Sequence, residues 1–128
     1  MSLFVGFDEP DTNENFFELF RSGSPYLSLY HHCRVTEITY PDDGHFSVYL
    51  EKVFDSGFGP PVGSKVILSL ENATLESLHS STDGNFEDLD EVVCIHKNSH
   101  KLLIKLVISG VDFYVRCQKI VLHVPEAN

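Results

Sequence analysis

The sequence predicts a mainly β domain (β-rich α+β), an antiparallel sandwich or open barrel of about six or seven strands with one or two short helices. Three observations carry this. Polar and apolar residues alternate with a period of two over most of the chain after residue 33. Turn-forming clusters such as Asp42-Asp43-Gly44 and Ser109-Gly110 separate the alternating runs. Long amphipathic helical patterns are absent, and the only helix-like spacings are short.

Taken in order, residues 14–21 (ENFFELFR) cluster Phe16, Phe17, Leu19 and Phe20 at helix-like spacing, so a short capping helix or stiff arm is expected there, with Asn13 or Asn15 as its N-cap. Residues 34–40 alternate, stop at Pro41-Asp42-Asp43-Gly44, and are answered by a return strand over 45–54, which together read as a hairpin. Residues 55–63 are rich in Gly and Pro and form a loop, and 65–71 (KVILSLE) form a further strand. Residues 72–82 have two readings: a short helix behind Asn72 or Thr74, with Leu75 and Leu78 on one side, or a strand at a sheet edge. Residues 83–90 are polar and acidic, hence exposed. Three closely spaced strands then follow over 91–96, 101–109 and 111–124, and the length of the last predicts a bulge near Cys117-Gln118. These three are expected to form the central meander, with Lys101, Lys105, Arg116 and Lys119 at solvent-facing or edge positions.

At 128 residues the chain reads as a single domain, with an N-terminal arm over 1–28 and a β core over 29–124. Its apolar content of 42% is that of a globular protein. No apolar run approaches the roughly 20 residues of a membrane helix. The start, MSLFVGFDEPD, carries no basic segment, and the three cysteines (Cys33, Cys94, Cys117) form no CxxC pair. A cytoplasmic protein with reduced thiols is expected.

Charge is divided unevenly. Residues 1–96 carry 17 Asp/Glu against 4 Lys/Arg, and residues 97–128 carry 5 Lys/Arg against 2 Asp/Glu, for a total of −10. Such acidity argues against nucleic acid and against anionic membrane surfaces as partners. It suits a basic protein partner, since complementary potentials speed encounter.

No motif points to catalysis, and no catalytic residue, metal site or cofactor is expected. The seven histidines show no HxH or HExxH spacing. The stretch from Asp83 has oxygen side chains at its first, third and fifth positions, as a calcium loop would. It fails at the sixth, Asp88, where Gly is needed, and at the twelfth, Cys94, where Glu is needed. Cys94 and His96 are the one nucleophile–base pair whose spacing permits a shared strand face, the wetter one if Val93 and Ile95 point to the core. The candidate binding residues are instead Asp83, Phe86, Glu87, Asp88, Asp90 and Glu91, an acidic stretch with an aromatic anchor, together with Phe58 at the tip of the 57–61 loop. The N-terminal acids Asp8, Glu9, Asp11 and Glu14 extend this surface if the two stretches meet in space.

The run Tyr30-His31-His32-Cys33-Arg34-Val35, the Asp42-Asp43-Gly44 turn, Val66 to Glu71, Asp90 to Val93 and Gly110 to Leu122 are together similar in rhythm to small bacterial β domains of the immunity-protein class, over about residues 29–122. That resemblance implies an acidic, non-catalytic protein that blocks a basic toxin by binding it. The expectation is therefore a non-catalytic protein-binding domain. The alternatives are a small-ligand binder or enzyme using His31, His45 or His96 in a pocket of the β fold, and a structural subunit or adaptor forming a homodimer or larger homo-oligomer.

Overall fold

A computed structural model of the chain describes residues 2–40, 44–80 and 88–124. Eleven strands run through them: β1 (Phe4–Val5), β2 (Glu18–Arg21), β3 (Ser24–Ser28), β4 (Cys33–Thr39), β5 (Phe46–Lys52), β6 (Lys65–Glu71), β7 (Thr74–Ser80), β8 (Leu89–Lys97), β9 (Leu102–Ile108), β10 (Val111–Cys117) and β11 (Lys119–His123). They form a five-stranded sheet in the order β1-β11-β6-β5-β4, a four-stranded sheet in the order β7-β10-β9-β8, and the β2-β3 hairpin. All pairings are antiparallel except β1 with β11. The mainly β class holds. The strands are more numerous than expected, no closed barrel forms, and no helix is present among the described residues.

Register explains which side chains are inside. In the first sheet Phe46↔Leu70, Val48↔Leu68 and Leu50↔Val66 face inward, and Ile120 and Leu122 continue the layer. In the second, Val92↔Leu106, Cys94↔Ile104 and Val115↔Ile104 do the same. All these side chains are at most 4% exposed and belong to one hydrophobic cluster. Burial of this kind is worth about 25 cal/mol per Å² of apolar surface, so the two facing layers supply the main drive for folding. Phe46 and Phe113, with ring centres 5.5 Å apart, join the sheets directly.

The expected helix over 14–21 is absent. Phe16 and Leu19 are buried while Glu18 and Phe20 face outward, and the segment runs as an extended arm into β2. Its backbone groups find partners on another strand rather than within a helix: the amides of Asn13 and Phe16 donate to the carbonyls of Cys94 (2.9 Å) and Val92 (2.7 Å). The second candidate helix, over 72–82, is the edge strand β7, the alternative reading of that segment. Leu75 packs against the core, but Leu78 is 52% exposed, so the two leucines share no buried face.

The expected bulge at Cys117-Gln118 is a change of sheet. β10 belongs to the four-stranded sheet and β11 to the five-stranded one. β6 and β7 make the same crossing at Asn72-Ala73 in the opposite direction. The two crossings are tied by the Gln118 amide donating to the Glu71 carbonyl (2.9 Å) and by the Asn72–Gln118 side-chain hydrogen bond. A pair of antiparallel strands thus turns one corner together. The β8-β9-β10 meander forms as expected, with Asn98 capping the first turn through the amides of His100 and Lys101. The second turn, Ser109-Gly110, has positive φ at both residues, as a tight hairpin turn needs.

The 53–64 loop is clamped over the end of β5. Gly59 has φ +74°, and a Cβ there would lie 1.9 Å from the Tyr26 carbonyl oxygen, whereas Gly57, at φ +79°, faces open space. Gly57→Ala should therefore cost only the left-handed backbone penalty, about 1–2 kcal/mol. Gly59→Ala should cost clearly more, because backbone must also move. Urea denaturation of both variants checks this; equal losses would contradict the close approach.

Candidate functional site

The N-terminal arm builds the site. Arg21 donates through Nε (3.1 Å) and Nη2 (2.9 Å) to the Gly6 carbonyl, and its guanidinium lies 3.8 Å from the centre of the Tyr26 ring. Asp8 accepts the amides of Ser22 (3.0 Å) and Gly23 (2.8 Å), so its carboxylate holds the tip of the β2-β3 hairpin. The chain then crosses to β8. Asn15 Oδ1 accepts the Val92 amide (3.0 Å) and its Nδ2 donates to the Asp90 carbonyl (3.3 Å). One side chain thereby satisfies both a donor and an acceptor on the exposed edge of β8.

Between arm and hairpin lies an open cleft of about 470 Å³. Phe7 and Phe16, stacked with centroids 6.1 Å apart, are buried at its base. Asp11, Glu14 and Glu18 are exposed around it and have no ion-pair partner among the described residues. Glu9 differs: it pairs with Lys97 at 2.8 Å. Of the four N-terminal acids singled out by sequence, Asp8 and Glu9 thus hold the fold together, while Asp11 and Glu14 have no ion-pair partner among the described residues.

Of the second acidic stretch, the described end at Asp90 meets the arm through Asn15. Asp90 sits where β8 meets the arm, and its carboxyl is pushed above the ordinary value by partial burial and then by the charges of Asp88 and Glu91. Glu91 also lies 3.8 Å from Lys105 across the strand pair. Asp83, Phe86 and Glu87 lie outside the described residues.

Phe58, the remaining candidate, is 45% exposed and folds half back, its ring edge-on to His32 at 5.6 Å. It lines a second cleft of about 240 Å³ with Tyr26, Leu27, His31 and His32. Glu18, Leu19 and Phe20 line both clefts, so β2 is the ridge between an acidic hollow and a mostly apolar one. The Phe58 carbonyl accepts from Lys52 Nζ (2.8 Å), which also donates to Ser56 Oγ (2.9 Å). Lys52 is 2% exposed and meets only these neutral acceptors in the described residues.

Sequence reasoning passed over Asn15 as a β8 cap, and over Lys52, His32 and Glu18. Lys52 was the most accessible of these: it continues the inward phase Phe46, Val48, Leu50. His32 lies at a junction. Its Nδ1 accepts the Ser28 amide (3.1 Å), its carbonyl accepts the amides of Val53 and Phe54, and its ring stacks on Phe54.

The cysteine and histidine alternatives are disfavoured by placement. Cys94 faces the core and is fully buried; Val93 takes the outer face, the reverse of the expected phase. A register shift between Cys94 and His96 puts His96 outside, and the contact between the two residues runs from Sγ to the His96 carbonyl, 3.6 Å away. Burial pushes the Cys33 and Cys117 thiols up to about 12 and raises Cys94 as well, which withdraws the thiolate a nucleophile needs. His31 lies against Phe17 and Tyr30, His45 on the outer face of the five-stranded sheet, and His96 outside β8, so the three do not converge. No group of three or more potential metal ligands occurs among the described residues. No helix there is long and apolar enough to cross a membrane.

Fold and site together define an all-β domain that carries an acidic, aromatic-based cleft at a covered sheet edge. Compared with protein-family models, curated proteins and solved structures, the chain matches none.

His32 gives a pH prediction. Burial first, then Lys52 and His31, lower its pKa from 6.5. The unfolded chain therefore takes up a proton that the folded one resists. The stability from neutral His32 is present above about 6.5 and is lost as pH falls through the lower folded value. His32→Asn keeps an acceptor but cannot titrate. The wild-type denaturation midpoint should fall towards the variant's between about pH 7 and 5. A wild-type-minus-variant difference that stays constant over this range would contradict the assignment.

Proposed function

We propose that this domain is a non-catalytic protein-binding module that docks a basic segment of another protein against the cleft between the arm and β2. The observation that carries the reading is the attachment of the arm to β8 through Asn15, which puts Asp11 and Glu14 on the same segment that reaches Asp90. Charge complementarity favours a cationic partner, because Asp11, Glu14 and Glu18 surround the cleft without a counter-charge among the described residues. Phe7, Phe16 and the exposed Phe20 supply apolar surface for the stem of a lysine or arginine. Aromatic contacts of this kind give most of the affinity of an interface, and surrounding charges mainly set encounter rate and partner choice. Inhibition of a basic toxin, as the immunity-protein resemblance implies, is one biological use of such a module.

The triple variant Asp11→Lys, Glu14→Lys, Glu18→Lys tests the proposal, with a Lys/Arg-rich synthetic peptide containing one Phe as probe. Association should slow by about tenfold or more at low salt, with a smaller difference at physiological ionic strength. Asp8→Asn should lower stability, since it weakens the hairpin-tip bonds. Association unchanged in the triple variant would overturn the reading.

A further inference from the structure

Two of the five Lys/Arg in residues 97–128, Lys101 and Arg116, line a second concavity, remote in chemistry from the acidic cleft. Because β7 and β10 both leave the four-stranded sheet at the same corner, a hollow of about 310 Å³ opens between that corner and the β8-β9 turn. Lys101, Arg116 and His100 line it with Thr74, Asn72 and Gln118, and no carboxylate does.

Several of its polar groups are available as donors. The Asn98 side chain accepts the backbone amides of His100 (2.8 Å) and Lys101 (2.9 Å), which sets the turn that presents both side chains. Arg116 and Thr74 are cross-strand partners. Glu76 engages Arg116 through Nε and raises its pKa, leaving the two Nη groups without a partner among the described residues. Gln118 accepts from Asn72 through Oε1, so its amide N–H groups are what it has left to offer. Lys101 has no carboxylate partner among the described residues, unlike Lys65, Lys97, Lys105 and Arg116. A guanidinium, an ammonium, a hydroxyl and an amide N–H group together match a ligand with several acceptor oxygens and net negative charge.

We infer that the corner between β10 and β11 is a binding site for a phosphate-type oxyanion, either free or borne on a larger molecule. The site is independent of the acidic cleft and stands or falls separately from it.

Titrations followed by NMR, with inorganic phosphate, O-phosphoserine and acetate as probes, test it. Saturable shifts centred on Thr74, Lys101 and the Gln118 side-chain amide are expected with both phosphates and should be weaker with acetate. Similar affinity for the two phosphates assigns a free-ion site, and tighter O-phosphoserine binding assigns a group carried on a larger molecule. Lys101→Gln and Arg116→Gln should each weaken phosphate binding about tenfold. Lys65→Gln, an exposed lysine elsewhere, should leave it unchanged. Non-saturable shifts, acetate binding as tightly as phosphate, or equal loss in the Lys65 and Lys101 variants would each overturn the assignment.

Discussion

The pairing of the N-terminal arm with the edge of β8 is the contact on which the candidate surface depends. An exposed sheet edge presents unpaired amide and carbonyl groups, and left open it invites association with other chains. Here Asn13, Asn15 and Phe16 occupy it. A helix over the same residues would have satisfied its own backbone and left β8 bare. The same contact carries Asp11 and Glu14 to the acidic end of β8 and closes one side of the cleft over Phe7 and Phe16. Structure and charge placement therefore have one cause.

The corner where β6–β7 and β10–β11 change sheets plays the matching part at the other charge pole. It lets two long stretches of chain serve both sheets, so the core is continuous across them. Beside it, the β9–β10 hairpin register, with Arg116 opposite Leu103 and Cys117 opposite Leu102, brings Arg116 near Lys101 although fifteen positions separate them in sequence. The uneven charge along the chain thus becomes two hollows of opposite sign. Between them runs the Glu9–Lys97 pair, the one ion pair that links the acidic arm to the basic segment among the described residues.

Much of the β core was legible because period-two alternation reports which face a side chain takes, and the register bears this out from Phe46 to Leu50 and from Leu102 to Ile108. Turns at 98–101 and 109–110 were legible for local reasons: the Asn98 side chain accepts the backbone amides of its own turn, and Gly110 takes a positive φ without steric cost. The sequence left the arm open between a short helix and a stiff extended segment because Phe16, Phe17, Leu19 and Phe20 fit a helical spacing, and what decides against the helix is a partner strand some 77 residues away. Local pattern cannot report such a partner. The phase of β8 failed for a related reason: irregularities at Leu89/Glu91 and Cys94/His96 shift the alternation, so Cys94 turns in and Val93 out. Of the site, the acidic character was visible in composition. Which acids are committed to the fold was not, because Asp8 and Glu9 look like Asp11 and Glu14 until the hairpin tip and Lys97 are placed beside them.

Amide hydrogen exchange, comparing the wild-type protein with Asn15→Ala, tests the central contact most directly. The amides of Asn13, Phe16 and Val92 should be protected in the wild-type protein. In Asn15→Ala the Val92 amide should exchange at least about tenfold faster, with Asn13 and Phe16 following, because removing one partner of a buried hydrogen bond costs about 1–3 kcal/mol. Amides of β9 and β10 should keep their protection. Unprotected Asn13 and Phe16 amides in the wild-type protein, or unchanged exchange in the variant, would contradict the account.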